Sequence, residues 1–426
     1  GLSKRKIRNA LIILGVLVFS KYFYIASMTN YFTFFLMDKF SMSVQGAQYA
    51  LFAFLAASAA GTFIGGPVGD RIGRKKTLVL TLSLMGGATV MIGLLPTYEM
   101  IGLWAPALLI LMRIIQGMGI GGEWGGALLL AYEYAPEKRK GFFGSIPQAG
   151  VTIGMLMATF IVSLMTLFSE ADFLSWGWRI PFLLSSVLVL LGLWIRKDID
   201  ETPDFQRVKA SGQVAKAPLR DTLKHHWREV LIAAGLKVVE TAPFYIFSTF
   251  VVSYATSTLT YQKSQALEAV TLGALVATIM IPLMGLLSDK VGRQRMYAIS
   301  VFVLGLFIVP WFMLLNTGTT WGIVLATVIA FGVLWAPVTA VLGTLCSEIF
   351  SANVRYTGIT LGYQLGAALA GGTAPLIATG LLAKYDGDWV PVAWYLAVTV
   401  TISLIAIFCA SRVKRATLIQ AQPERL

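Results

Sequence analysis

Apolar runs of about 20 residues recur along the whole chain, which is the length of helix that crosses the hydrocarbon core of a bilayer. A backbone in lipid must satisfy its own hydrogen bonds, so only helices or closed barrels span it. Unbroken runs of this length select helices over the short alternating segments of a barrel. Twelve spans are expected, at about 10–37, 47–68, 77–96, 104–134, 142–168, 177–195, 229–257, 264–287, 297–316, 320–349, 356–383 and 390–411. With 57% hydrophobic and 13% charged residues among 426, the chain is excluded from the soluble globular class. The first run is too long for the apolar core of a cleavable signal peptide.

The connections are short except for the polar stretch 196–228, which divides the spans six and six. The expected domains are therefore 1–195, a linker at 196–228, and 229–426. If both termini and the even-to-odd loops share one side, 27 of the 34 lysines and arginines lie there and four lie opposite. That asymmetry puts both termini in the cytoplasm. It also gives the formal charge of +13 an ordinary cause, and no nucleic-acid partner is expected. Cys346 and Cys409 read as small packing residues, and His225 and His226 offer no metal constellation.

The two halves repeat. Gly66-Pro-Val-Gly-Asp70-Arg71-Ile-Gly73-Arg74-Lys75 follows the second span, and Gly285-Leu-Leu-Ser-Asp289-Lys290-Val-Gly292-Arg293 follows the eighth. Glu133 with Lys138-Arg139-Lys140-Gly141 is matched by Glu348 with Arg355-Tyr-Thr-Gly358. Gln148-Ala-Gly150 is matched by Gln364-Leu-Gly366. Parallel repeats of six spans are a transporter signature.

Charged residues inside the spans are the candidate working parts, because charge at bilayer depth is kept where it faces protein or a wet cavity. The fourth span carries Arg113 and Glu123 among six glycines, which let neighbouring helices approach closely. Arg113 offers a fork of donors suited to a carboxylate, and the competing reading is a structural ion pair. Ten residues separate it from Glu123, about 15 Å along a helix, so the two do not pair with each other. Glu123 is a candidate proton carrier or a satisfied buried partner, and Trp124 reads as packing. Lys237 and Glu240 stand at i, i+3 in the seventh span and share a face. They form either a proton-sensitive switch with Tyr245 nearby or a self-satisfied pair. In the first span Lys21, Tyr24 and Asn30 make one side polar, with Lys21 facing a cavity or snorkelling to a headgroup. Gln148 and Gln364, at repeat-related positions, suit either a central site or helix–helix hydrogen bonds.

The G-x-x-x-D-R-x-G-R-K motif, its weaker copy after the eighth span and Arg113-x-x-Gln116-Gly117 resemble the major facilitator superfamily. Trp176-Gly-Trp-Arg-Ile-Pro181, Glu201-Thr-Pro203, Gly121-Gly-Glu-Trp-Gly-Gly126 and Glu348-Ile-Phe…Arg355-Tyr-Thr-Gly358 are similar to its metabolite:proton symporters, which include shikimate and α-ketoglutarate permeases. That resemblance covers about residues 70–415. Residues 11–75 look more like drug exporters of the fosmidomycin-resistance type, which reads as a join of two branches near Gly69–Lys76. The first span also lacks the acidic aromatic motif of the symporters.

The resemblance implies an all-α polytopic membrane protein with the major facilitator fold: twelve transmembrane helices in two six-helix bundles around a central cavity. It implies a latch, in which Asp70, Arg71 and Arg74 gate the transition together with Glu133, Arg139, Asp289, Arg293, Glu348 and Arg355. The function expected is secondary transport of a small organic anion by proton symport, in a bacterial inner membrane, by a monomer. The substrate residues expected are Arg113, Lys21, Tyr24, Asn30, Gln148, Lys237, Tyr245 and Gln364, with Glu123 and Glu240 for the proton. Two alternatives stand beside it: export of an anionic antibiotic, and a membrane sensor on a carrier scaffold. No enzyme motif is present, and no cofactor or metal is expected.

Overall fold

Long apolar segments become helices here because lipid offers the backbone no other partner. The structure is a computed structural model that describes residues 44–420, apart from 97, 166–168, 178 and 372. Every regular element among the described residues is helical. In chain order the main helices are α1 (Val44–Ile72), α2 (Arg74–Leu94), α3 (Trp104–Tyr134), α4 (Lys140–Met165) and α5 (Arg179–Lys197). Two short helices, α6 (Pro203–Ala210) and α7 (Pro218–His225), occupy the polar connection. Then come α8 (Trp227–Tyr245), α9 (Lys263–Val291), α10 (Arg293–Leu315), α11 (Thr320–Thr327), α12 (Trp335–Ile349), α13 (Arg355–Ala370), α14 (Ala374–Lys384) and α15 (Val390–Gln420).

Among the described residues nine helical stretches are long and apolar enough to cross a membrane. Two further expected spans are the 29-residue α1 and the 26-residue α4. The first expected span, with Lys21, Tyr24 and Asn30, lies outside the described residues. The chain is an all-α, multi-pass membrane protein. Not every span is uniformly α-helical. The seventh continues past α8 through π-helical turns at Ile246–Phe250 and Tyr254–Thr258, and the tenth joins α11 to α12 through one at Val328–Leu334. Such turns widen a helix locally.

The helices form two compact units. The first holds Gly1–Tyr134, Gly150–Asp221 and Ala352–Thr360, and the second holds Ala135–Ala149, Thr222–Ser351 and Leu361–Leu426. In the first unit the glycines of α3 set the packing distance. A Cβ on Gly65 of α1 would lie 2.5 Å from the Cα of Gly122, and one on Gly61 would lie 2.2 Å from the Met118 carbonyl. Backbone therefore meets backbone along α1 and α3. Gly65→Val is expected to cost about 3 kcal/mol, the upper part of the overpacking range, because main chain cannot step aside as a side chain would. Thermal unfolding of the detergent-solubilised protein checks this, and an unchanged midpoint contradicts it.

In the second unit α8 is tied to α15. The Val239 amide donates to Ser403 Oγ at 3.1 Å, and Ser403 Oγ donates to the Gly235 carbonyl at 2.8 Å. An aromatic cluster fills the unit near Trp311, whose ring lies 5.0 Å from Phe247 and 4.6 Å from Phe312. Phe312 stacks on Trp389 at 5.0 Å.

Candidate functional site

A helix start leaves backbone N–H groups without partners, and a buried carboxylate is a good cap for them. In the first unit Asp70, at the end of α1 and just past its apolar stretch, takes that role for α13. Its Oδ2 accepts from the Thr357 amide at 2.8 Å and the Thr357 hydroxyl at 2.7 Å, and Oδ1 accepts from the Tyr356 amide at 3.2 Å. Arg74 Nη1 stands 3.3 Å from the same carboxylate, with both side chains fully buried. Burial pushes the Asp70 carboxyl up to about 6, against the opposing pull of Arg74 and of the Thr357 and Tyr356 hydrogen bonds. Arg74 reaches on to Glu133 at 3.2 Å, and Arg355 meets Glu133 at 3.3 Å and Asp204 at 2.8 Å. Thr202 donates to the other Glu133 oxygen and caps α6 through the Phe205 amide.

A second acid serves the turn between α1 and α2. Glu201 accepts from the amides of Arg74 at 3.1 Å and Lys75 at 3.3 Å, so it caps α2 from 127 residues away. Gly73 in that turn has φ 109, and a Cβ there would sit 2.1 Å from Glu201 Oε2. The conformation favours glycine, and a side chain there would push the Glu201 carboxylate away from the amides it caps. Asp70→Ala is expected to cost about 3 kcal/mol, the low end for breaking a buried pair, since Arg74 keeps Glu133. Faster hydrogen exchange at the Tyr356 and Thr357 amides would accompany it, and unchanged exchange there contradicts the cap.

The repeat motif builds the same arrangement in the second unit. Asp289 accepts from the amides of Gly141 at 2.8 Å and Phe142 at 3.1 Å, at the start of α4. Arg293 joins Asp289 at 3.2 Å to Glu348 at 2.9 Å. Of the remaining gating candidates, Arg71 and Arg139 are exposed and stand outside these clusters.

Within the spans, Arg113 of α3 is 3% exposed. Its Nη1 donates to Gln116 Oε1 at 2.7 Å, and Gln116 Nε2 donates to Thr89 of α2. Glu123, two turns and more further along α3, is sealed differently. One carboxylate oxygen is paired with Arg196 at the end of α5, the other accepts from the Thr81 hydroxyl, and Arg196 also donates to the Leu78 carbonyl. Arg196 belongs by sequence to the polar connection, yet it is 2% exposed. Sequence reasoning gave Arg196 no role, and named Glu201 only as part of the Glu201-Thr-Pro203 motif. The signal available for Arg196 was a charge directly abutting an apolar span.

In the second unit Lys237 Nζ lies 2.5 Å from Glu240 Oε2, with side chains 14% and 9% exposed. Glu240 also accepts from Thr241 Oγ1 and, on its other oxygen, from Thr339 Oγ1, both at 3.1 Å. Trp335 Nε1 donates to the Glu240 carbonyl at 2.8 Å. The Lys237 ammonium sits over the Tyr363 ring, 4.5 Å from its centre. Tyr245, half-buried, sets its ring 5.3 Å from Phe244. Gln148 on α4 is buried and Gln364 on α13 is half-buried. Among the described residues no group of three or more His, Cys, Asp or Glu could hold a metal ion. Cys346 is buried and Cys409 exposed, and neither is in a disulfide.

Buried ion pairs in apolar helices, and a capping acid repeated in each half, are features of a carrier. The comparisons with known proteins agree. The chain is 37% identical over 359 residues to the shikimate transporter of Escherichia coli (strain K12), covering 84% of this chain and 82% of that one. It is 36% identical over 368 residues to the inner membrane metabolite transport protein YhjE of the same organism, again covering 84% and 82%. The structure of the proton:xylose symporter XylE bound to 6-bromo-6-deoxy-D-glucose superposes with a TM-score of 0.72 at 16% identity, covering 96% of this chain and 95% of that one. At that identity the likeness concerns the fold. The sequence model of the Major Facilitator Superfamily matches residues 13–371 and 244–425. Taken with the helical architecture, this establishes that the chain belongs to the major facilitator superfamily and is a multi-pass membrane carrier, not an enzyme.

Proposed function

We propose that this carrier moves a small organic anion, a shikimate-like hydroxy acid or a dicarboxylate, together with protons by alternating access. The observation that carries the reading is Arg113: a guanidinium buried inside a span and oriented by Gln116, in a chain 37% identical to a shikimate transporter. A planar fork of donors at that depth suits a carboxylate. Lys237 adds a second cation within the spans, and cations in a low-dielectric setting concentrate anions.

Of the two acids expected to carry the proton, Glu240 is the better fitted. Glu123 is held by an arginine, which does not give up its proton in proteins, and both are sealed from solvent. Glu123 is therefore assigned to holding α2, α3 and α5 together. The acid-capped starts of α13 and α4, with Asp70 and Asp289, are the latches of alternating access in this reading. Residues 1–195 and 229–426 are its two six-helix halves, with both termini in the cytoplasm and the carrier acting as a monomer in the inner membrane. Equilibrium binding to the purified protein tests the substrate class. Shikimate or succinate is expected to bind and neutral D-xylose is not, and binding of xylose alone overturns the reading.

A further inference from the structure

Glycine is the poorest helix former after proline, yet α3 carries Gly121-Gly-Glu-Trp-Gly-Gly126 in mid-span. Gly65 of α1 accounts for Gly122. Gly125 and Gly126 make room for the start of α13. Tyr356, in its first turn, is fully buried in a slot walled by glycine. A Cβ on Gly126 would lie 2.4 Å from the Tyr356 hydroxyl, one on Gly125 would lie 3.2 Å from its ring, and one on Gly69 of α1 would lie 2.3 Å from the ring. The hydroxyl donates to the Gly122 carbonyl. One turn on, the Thr360 methyl fills the next space, 2.4 Å from where a Cβ on Gly125 would stand. All of these residues belong to the first unit.

The second unit builds its capped start differently. The repeat that relates Gln148 to Gln364 also relates Lys140 to Tyr356 and Gly144 to Thr360, and the one that relates Asp70 to Asp289 relates Gly125 to Thr344. Where the first unit sets Thr360 against Gly125, the second sets Gly144 against Thr344, with glycine and threonine exchanged between the helices. In the place of Tyr356 stands Lys140, whose ammonium lies 3.7 Å from Glu137. The capping acid is repeated, and the tyrosine belongs to the first unit.

We propose that Tyr356 is a further gating residue: its ring in the glycine slot holds the start of α13 closed, and that start opens when the ring withdraws. This rests on the reading of the Asp70 cap as a latch and assigns that latch its moving part. The chemistry suits a reversible key. Main chain on both sides of the ring cannot yield, so the ring is either seated or out, and packed contacts of this kind have discrete arrangements. Inside α3 the Gly122 carbonyl also accepts the helix's own N–H four residues on, so it keeps a partner when the tyrosine leaves. The tyrosine hydroxyl then finds water. No polar group of the key is stranded by the movement, while the ring's apolar area favours the seated state. The Asp70 cap acts through charge. The tyrosine acts through shape, and it fixes how far α13 enters.

The test is maleimide labelling of Thr360→Cys in the purified full chain, with Cys346→Ala and Cys409→Ala removing the native thiols. Thr360 is 3% exposed and lies one turn deeper than Tyr356, so fraying of the first turn does not uncover it. Slow labelling is expected with Tyr356 in place. Tyr356→Phe, which loses one hydrogen bond, is expected to speed it about fivefold, and Tyr356→Ala about 100-fold or more. Gly69→Ala, which fills the slot, is expected to match Tyr356→Ala. Adding it to Tyr356→Ala should change little, because the atoms it would strike are gone. Amide exchange at Gly141 and Phe142, the capped start in the second unit, is expected to stay as in wild type throughout. Labelling that Tyr356→Ala leaves unchanged overturns the key, and so does equal loosening at both starts, which would mean general destabilisation. Asp70→Ala separates the two readings. Faster labelling there with no effect of the Tyr356 variants leaves the latch and removes the key, and no effect of any of the three removes both.

Discussion

Arg113→Ala is expected to weaken organic-anion binding about 100-fold or more while leaving the helices folded. Charge-assisted, two-point hydrogen bonds to a carboxylate are the strong kind, and truncating a buried charged partner costs about 2–5 kcal/mol. Arg113→Lys keeps the charge but loses the fork that Gln116 orients, so an intermediate loss of about tenfold is expected. Binding titrations with shikimate, alongside thermal unfolding to confirm the fold, check both variants. Full affinity in Arg113→Ala would remove the residue from the substrate site.

The largest effect on stability is expected at Arg196. Arg196→Ala leaves the Glu123 carboxylate, 1% exposed in the native chain, with only the Thr81 hydroxyl against it among the described residues. Breaking a buried pair from one side costs about 3–5 kcal/mol, a large share of the stability of an ordinary domain. Replacing both partners by apolar residues, as in Arg196→Met with Glu123→Met, is expected to recover most of that loss, because no charge is then stranded. Folded yield and the unfolding midpoint measure both. A single variant as stable as wild type would contradict the clamp. Recovered stability with intact proton-coupled transport in the double variant would support giving Glu123 a structural role.

The parts of this molecule legible in its sequence are those written locally. Span positions follow from apolar length, since lipid leaves a long run no other structure. The contact of Lys237 with Glu240 can be read from a spacing of three residues on one helix. The glycines of α3 announce close packing, though not that Gly65 of α1 is what meets them. What the sequence does not reveal is closure over distance. Asp70 caps a helix 287 residues away, and Glu201 caps one 127 residues back. No local pattern encodes those partners; only the repeat of the motif at Asp289 hints that the acid has a fixed task. Arg196 escaped notice for the opposite reason. It sits where apolar residues give way to charged ones, and such a residue reads as solvated until the fold turns it inward. Lys21, Tyr24 and Asn30 lie outside the described residues, so the first span's part in the site rests on the sequence.

Coupled movement of an organic anion and a proton is the central claim, and one measurement addresses it most directly. The purified chain is reconstituted into liposomes and uptake of labelled shikimate is followed under an imposed inward proton gradient, with empty liposomes as control. Accumulation that requires the gradient and collapses when it is dissipated is the predicted result. Gradient-independent uptake would contradict symport, and no uptake but proton movement on adding an anionic antibiotic such as fosmidomycin would contradict it and give the deciding role to the first two spans.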